Sequence, residues 1–279
     1  MMKKIGIVTD STADIEPSWY LENDVVMVPL EVRFGDEAFS DWVDIKPNEF
    51  YERLRNVNEI PKTSQPSVAS FIHAYNDVAK DHDEIISVHI SSKLSGTLNS
   101  AEIAAKEVSV PVKLIDSKKA SFLTGIIVQE LVKARDRGAT INDLEALAVG
   151  IINKSQCFFY VDTLKYLEMG GRLGKASALI GSLLNIKVIL KLEDGEVATA
   201  AKVRGESKVV PALLEKVKKF SDGRSNRIGF AYTDDLSDLD KLKTGLADLG
   251  YVVSDAPVAM IGAVIGTYTG PGAYAVIVY

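Results

Sequence analysis

One ten-residue stretch limits most sharply what this chain can become: Ser91–Ser100, reading Ser-Ser-Lys-Leu-Ser-Gly-Thr-Leu-Asn-Ser. Before it, Ile85–Ile90 is a short apolar run with β-branched residues, the pattern of a buried strand. After it, Ala101, Ile103, Ala104 and Ala105 suit a helix. A strand that stops in small hydroxyl residues and turns into a helix exposes unpaired backbone N–H groups and a partial positive charge. Gly96 allows close approach to the backbone, and Ser95 and Thr97 add O–H donors. Such a junction suits a carboxylate or a phosphate. The same residues also serve as ordinary helix caps, and the stretch alone does not choose between the two.

Alternating strands and helices surround this junction over residues 1–150, which argues for a doubly wound, mainly parallel sheet. Ile5–Val8 is a first strand, followed by the acidic and hydroxyl run Thr9–Asp14, with Asp14 read as the cap of a helix over Glu16–Leu21. Val25–Phe34 reads as one continuing strand with a hairpin tip at Gly35-Asp36-Glu37. Thr63 lies between two prolines in Pro61-Lys62-Thr63-Ser64-Gln65-Pro66-Ser67, which biases the segment toward extended backbone. It is either a plain loop ahead of a Ser67 cap or a second wall of the Ser95 cleft. Ligands of such sheets sit beyond the carboxyl ends of the strands, where the loops at 9–14, 91–97 and 116–121 would meet.

Thr140-Ile141-Asn142-Asp143 has the form of a capping box, and Asn153–Gln156 is the expected boundary between domains 1–154 and 155–279. The second half expects an α/β sandwich with a mixed or antiparallel sheet. Its signals are a hairpin around Glu193-Asp194-Gly195-Glu196 and strands at Arg227–Tyr232, Val252–Ala256 and Ala273–Tyr279. The small-residue apolar stretches Ala176–Leu184 and Val258–Ile265 read as closely packed helices.

A net charge of −6 without a Lys/Arg-rich run gives no footprint for nucleic acid. The single Cys157 fits a reducing compartment and reads as a buried structural thiol. No apolar run approaches a membrane span, so no integral membrane association is expected and a cytoplasmic protein is the default. Gly170–Ala176 lacks P-loop spacing, no Gly-x-Ser-x-Gly elbow occurs, and His73, His82 and His89 lack metal spacing. No cofactor and no Ser-His triad are expected. The remaining chemistry is rich in hydroxyls and glycine and poor in bases, which suits binding better than turnover.

Read in order, Thr9-Asp10-Ser11-Thr12, Thr63-Ser64-Gln65-Pro66-Ser67, Ser92–Thr97 with Ser100-Ala101, Gly170-Gly171-Arg172-Leu173, Lys202-Val203-Arg204-Gly205 and Thr269-Gly270-Pro271-Gly272 form a set. This set resembles the DegV family of bacterial fatty-acid-binding proteins, end to end. The resemblance implies a two-domain α/β protein, expected as a monomer, that holds one long-chain fatty acid in a tunnel between its domains. It implies that Ser95 and Thr63 bind the carboxylate, with Gly96, Thr97, Ser121, Arg172 and Tyr268 as further ligand contacts. Some members act as subunits of a fatty acid kinase, presenting the carboxyl group to a separate ATP-dependent partner; Arg204 matches a position linked to that contact. The family often has His where this chain has Tyr268, and a phenol with an ordinary pKa near ~10 is a poor proton acceptor. A stand-alone enzyme and a kinase-independent lipid sensor are the competing readings.

Overall fold

The computed structural model describes residues 3–57, 59–179, 185–221 and 226–279. Strands β1 (Ile5–Asp10), β2 (Val25–Val28), β6 (Glu84–His89) and β7 (Val112–Asp116) form a wholly parallel sheet in the order β2-β1-β6-β7. Both faces of this sheet are covered, which is why β1 and β6 read as nearly unbroken apolar runs. Val8 and Ile85 pack with α3 (Val68–Val78) and α4 (Thr97–Ala105) on one side. Ile7, Ile86 and Val88 pack with α1 (Pro17–Glu22), α5 (Phe122–Asp136) and α6 (Ile141–Lys154) on the other. Thr140 and Asp143 make the expected capping box at the start of α6, and Ser67 caps α3 through the Ser70 N–H.

The second large sheet is mixed, in the order β10-β9-β8-β13-β11-β12. Its strands are β8 (Gln156–Tyr160), β9 (Ile186–Glu193), β10 (Glu196–Arg204), β11 (Ile228–Tyr232), β12 (Val258–Met260) and β13 (Tyr274–Val278). The hairpin expected at Asp194-Gly195 joins β9 to β10, with both residues at positive φ as a tight hairpin turn requires. Phe158, Val276 and Phe230 face α8 (Val209–Ser221) and α9 (Ser237–Asp248). Cys157, Ala231, Ala275 and Ile277 face the other way, onto α5. Helix α5 therefore lies between the two large sheets. Its first seven residues are all buried, and an amphipathic stripe would be out of place there.

Four readings need correction. Val25–Phe34 is two strands: Pro29 has no N–H for a ladder, so β2 ends at Val28 and β3 (Glu31–Phe34) starts a separate antiparallel sheet. That sheet has the order β4-β3-β5, with β4 (Glu37–Ser40) and β5 (Lys62–Ser64). Asp14 does not cap α1, whose N-cap Glu16 makes no side-chain bond; its carboxylate turns inward. No strand forms over 252–256, and the edge strand β12 begins two residues later. Val258–Ile265 is that strand plus the start of α10 (Ala263–Thr269), not one helix. Of the stretch Ala176–Leu184, residues 180–184 lie outside the described residues, and 174–179 form a 3-10 turn.

Helix α10 packs against α2 (Pro47–Asn56) at unusually short range. A Cβ on Gly266 would stand 2.6 Å from the Tyr51 hydroxyl and 2.7 Å from the Phe50 ring, both fully buried. Gly150, inside α6, meets nothing within 4 Å. We therefore expect Gly266→Ala to destabilise the fold by about 1–3 kcal/mol through overpacking. Gly150→Ala should stabilise it by about 0.5–1 kcal/mol through helix propensity. Denaturant midpoints of the two variants check both signs.

Candidate functional site

The carboxyl end of β6 leads into the Ser91 loop, and the fold holds that loop from three sides. The Ser91 N–H donates to the Lys119 carbonyl (2.8 Å), and its hydroxyl donates to the Gly195 carbonyl at the β9–β10 hairpin (2.8 Å). Arg172 Nε donates to the Leu94 carbonyl (3.2 Å). Ser95 follows, with its hydroxyl bonded to Thr97 Oγ1 (2.9 Å) and accepting the Thr97 N–H (3.3 Å). Ser95 thus closes a local turn onto Thr97, while the cap position of α4 is Gly96, which makes no side-chain capping bond. Gly96 is required by a close approach: a Cβ there would fall 1.9 Å from Gln65 Oε1. The Gln65 amide, pinned by donation to Ser100 Oγ (2.9 Å), packs β5 against the start of α4.

Thr63 and Ser95 line the same cavity, of about 350 Å³, together with Gly96, Ser121, Arg172 and Tyr268. Thr63 Oγ1 is 2.5 Å from the Tyr268 hydroxyl. The Arg172 guanidinium stacks over the Tyr268 ring at 4.9 Å and donates to the Gly170 carbonyl (2.7 Å). The ring reaches that position because residue 170 is glycine; a Cβ would stand 2.4 Å from Tyr268 Cδ1. Tyr166, in α7 (Lys165–Met169), lies over Gly270 in the same manner, so α7 and α10 exchange tyrosines onto each other's terminal glycines. Thr97 is buried off the cavity wall, and Arg204 is exposed at the end of β10, away from it.

Away from this polar group the wall is apolar, with Leu123, Phe159, Val264, Ile265, Ala275 and Ile277 among its residues. Arg172 is the one charged side chain on it among the described residues, and no carboxylate pairs with it there. A cation without a protein counter-ion, set in an otherwise uncharged hollow, favours an anion. Cys157 also lines the cavity; burial pushes its thiol up to about 12, so it stays protonated at neutral pH.

Two carboxylates stand behind the wall. Asp14 accepts from the Gly262 N–H (2.9 Å), Trp42 Nε1 (3.3 Å) and the Ser121 hydroxyl (2.5 Å). Asp41 accepts from the Ala263 N–H (2.9 Å). Together they hold the start of α10. Burial pushes Asp14 up to about 8 and Asp41 up to about 7, and each is further raised by a neighbouring carboxylate.

Sequence reasoning missed Gln65, the inward role of Asp14, and a buried row at the end of the parallel sheet. In that row Ser87 Oγ is 2.7 Å from His89 Nε2, and His89 Nδ1 is 2.9 Å from Asp10 Oδ2. The row has the residue types of a Ser-His-Asp triad without the access that a triad needs. All three residues are fully buried, Tyr75 occupies the serine, and none lines the cavity. Ser87 and His89 alternate onto one face of β6, a signal present in the strand; Asp10, 79 residues away, carries no local mark of its part.

The family model described as "Uncharacterised protein, DegV family" matches residues 4–279. A "fatty acid-binding protein" of Thermotoga maritima is 37% identical over 276 residues, spanning 96% of this chain and 95% of its own length. Among solved structures, a fatty-acid-binding DegV family protein from Thermus thermophilus has a TM-score of 0.94 at 35% identity, with 99% of each chain covered. A stearic acid-binding protein from Eubacterium ventriosum has a TM-score of 0.89 at 27% identity, covering 100% of this chain and 98% of its own.

The buried aspartates make stability depend on pH with a definite sign. Their folded-state pKa values are raised, so the folded chain keeps protons that the unfolded chain has released. Their contribution is whole below the ordinary carboxylate range and is lost as pH rises through about 7 and 8. We expect the urea-unfolding free energy to fall between pH 5 and pH 8, by up to ~1.4 kcal/mol per pH unit for each group. Asp14→Asn, whose Oδ1 can keep the two N–H bonds and whose amide can donate to Ser121 Oγ in place of the third, should flatten that slope.

Proposed function

This chain belongs to the DegV family, and on that premise we propose that it binds one long-chain fatty acid. The carboxylate sits against Ser95, Thr63 and Arg172, and the hydrocarbon lies in the cavity between an N-terminal domain, 1–154, and a C-terminal domain, 155–279. The observation that carries this reading is the unpaired Arg172 guanidinium at one polar group of an apolar cavity. One cation and several hydroxyl donors fit a monoanion with an uncharged tail.

Magnitudes decide what each end does. Burying a methylene is worth about 0.8 kcal/mol, so a long acyl chain gains on the order of 10 kcal/mol before the costs of association. A hydroxyl hydrogen bond adds about 1 kcal/mol, and one to a charged group about 1.5–3 kcal/mol. The tail supplies most of the affinity, and the polar group sets which way round the ligand lies. Among the described residues Ser95 has Thr97 as its side-chain partner and bonds no imidazole or carboxylate, which supports a carrier rather than a nucleophile.

As a carrier, the chain acts as a monomer in the cytoplasm and presents the carboxyl group to a separate ATP-dependent fatty acid kinase, with the exposed Arg204 at the contact. The Thr63–Tyr268 hydrogen bond favours a second reading, in which Tyr268 serves head-group geometry and the loaded protein signals by itself. Acyl phosphate formed on mixing with a cognate kinase and ATP selects the first reading; binding without it selects the second.

Native mass spectrometry of the purified chain should show an added mass equal to a fatty acid. Ser95→Ala should weaken fatty acid binding by roughly fivefold. Arg172→Met, which keeps the apolar stem, should weaken it by about 10- to 100-fold. Lipid extraction that finds no fatty acid at any loading, or Arg172→Met with unchanged affinity, overturns the proposal.

A further inference from the structure

Ser121 lines the same cavity as Arg172, but its anchor is Asp14, whereas Arg172 stacks on Tyr268. Helix α10 runs along the cavity wall, and the two polar groups are tied to its opposite ends. At its start, the Gly262 N–H holds Asp14, which holds Ser121. Near its end, Tyr268 meets Thr63 and Arg172. Residues 262 and 268 stand about 9 Å apart along a helix axis, at ~1.5 Å per residue. Val264 and Ile265 line the wall from between them.

The ordinary use of a serine ahead of a helix does not apply to Ser121. Its side chain makes no capping bond to α5. Its backbone sits at φ 55°, ψ −153°, a region that side chains disfavour and glycine takes freely. A strained serine therefore turns its hydroxyl to a buried carboxylate at the edge of an otherwise apolar surface.

We propose that Ser121, backed by Asp14, is a second polar subsite that receives a hydroxyl group carried partway along the acyl chain, so that hydroxylated long-chain fatty acids are ligands. This rests on the fatty-acid reading above. With Asp14 ionised, Ser121 donates to the carboxylate and turns a lone pair to the cavity. With the proton on Asp14 Oδ2, the carboxyl donates to Ser121 Oγ, and the serine O–H is free to donate outward. Oδ1 is already engaged by two N–H groups, which leaves Oδ2 for that proton. A ligand hydroxyl both donates and accepts, so it satisfies either state, whereas a methylene satisfies neither. Along the apolar stretches, against Leu123, Ile265 or Ile277, a ligand hydroxyl would be buried without a partner. Selectivity should therefore depend on where along the chain the hydroxyl lies.

The test uses the delipidated full chain, with affinities for stearic acid and for a series of positional hydroxystearic acids measured by calorimetry. One isomer should bind at least as tightly as stearic acid, and the others more weakly by roughly tenfold or more. In Ser121→Ala the favoured isomer should fall to the level of the rest. Ser121→Gly, which takes the φ of this position without strain, should show the same loss, separating the lost hydroxyl from a damaged backbone. If stearic acid binds and every isomer loses alike, or if the preference survives in both variants, the subsite is overturned and the fatty-acid reading stands. If neither stearic acid nor any isomer binds, both fall.

Discussion

The burial of α5 between two sheets is the constraint from which the rest follows. Leu123, Ile126, Ile127 and Val128 contact a single core that includes Ile86 and Val88 of the parallel sheet and Cys157, Ala275 and Ile277 of the mixed one. A helix whose first two turns have no solvent face has no freedom of rotation there, so the loop that feeds it, 117–121, is fixed as well. The sheet floor opposite is uneven by sequence. Ala275 pairs across strands with Ala231, and Ala231 with Ala259, so a row of methyl side chains crosses three strands. Bulky residues on α5 and α10 facing that row cannot fill all the space, and the cavity is what remains. Unfilled apolar volume lowers stability, and a ligand that binds only the folded chain restores it.

Close approach at glycine is the second device, and it works on α10. Gly262, Gly266 and Gly270 bring the helix against Trp42, Tyr51 and Tyr166 in turn, while Gly170 admits Tyr268. These contacts fix a short helix that could not hold itself by its own hydrogen bonds. Asp14 and Asp41 complete the clamp by taking the Gly262 and Ala263 amides. The cost of burying two carboxylates is softened because each can keep a proton, which is the physical sense of their raised pKa values.

What could be read from the sequence was whatever a short window encodes. The strand–loop–helix at 85–105, the Asp194-Gly195 hairpin and the Thr140 capping box each state their geometry within a few residues. The break at Pro29 is equally local, but the flanking residues continue the apolar pattern and hide it. The meeting of Thr63, Ser95, Arg172 and Tyr268 at one cavity was legible only as a resemblance of ordered motifs. Nothing local in Arg172 announces a bond to the Leu94 carbonyl, and nothing in Tyr268 announces Thr63, 205 residues away. Asp14 misled for a different reason: an acidic residue ahead of a helix has a common local use, and tertiary contacts outbid it.

The distribution of titratable groups bears on what kind of site this is. Asp10 and His89, a carboxylate–imidazole pair, are used up on the α3 face of β6, with Asp10 also accepting the Ile90 and Thr12 N–H groups. That pair stiffens the strand end from which the Ser91 loop departs; its imidazole is buried and does not line the cavity. On the cavity side stand hydroxyls, an amide, phenols and one guanidinium, a set rich in hydrogen-bond donors. Donors and a fixed cation hold an anion without taking its proton or attacking its carbon. The geometry suits holding an anion in one orientation, because Arg172 is itself fixed by the Leu94 and Gly170 carbonyls.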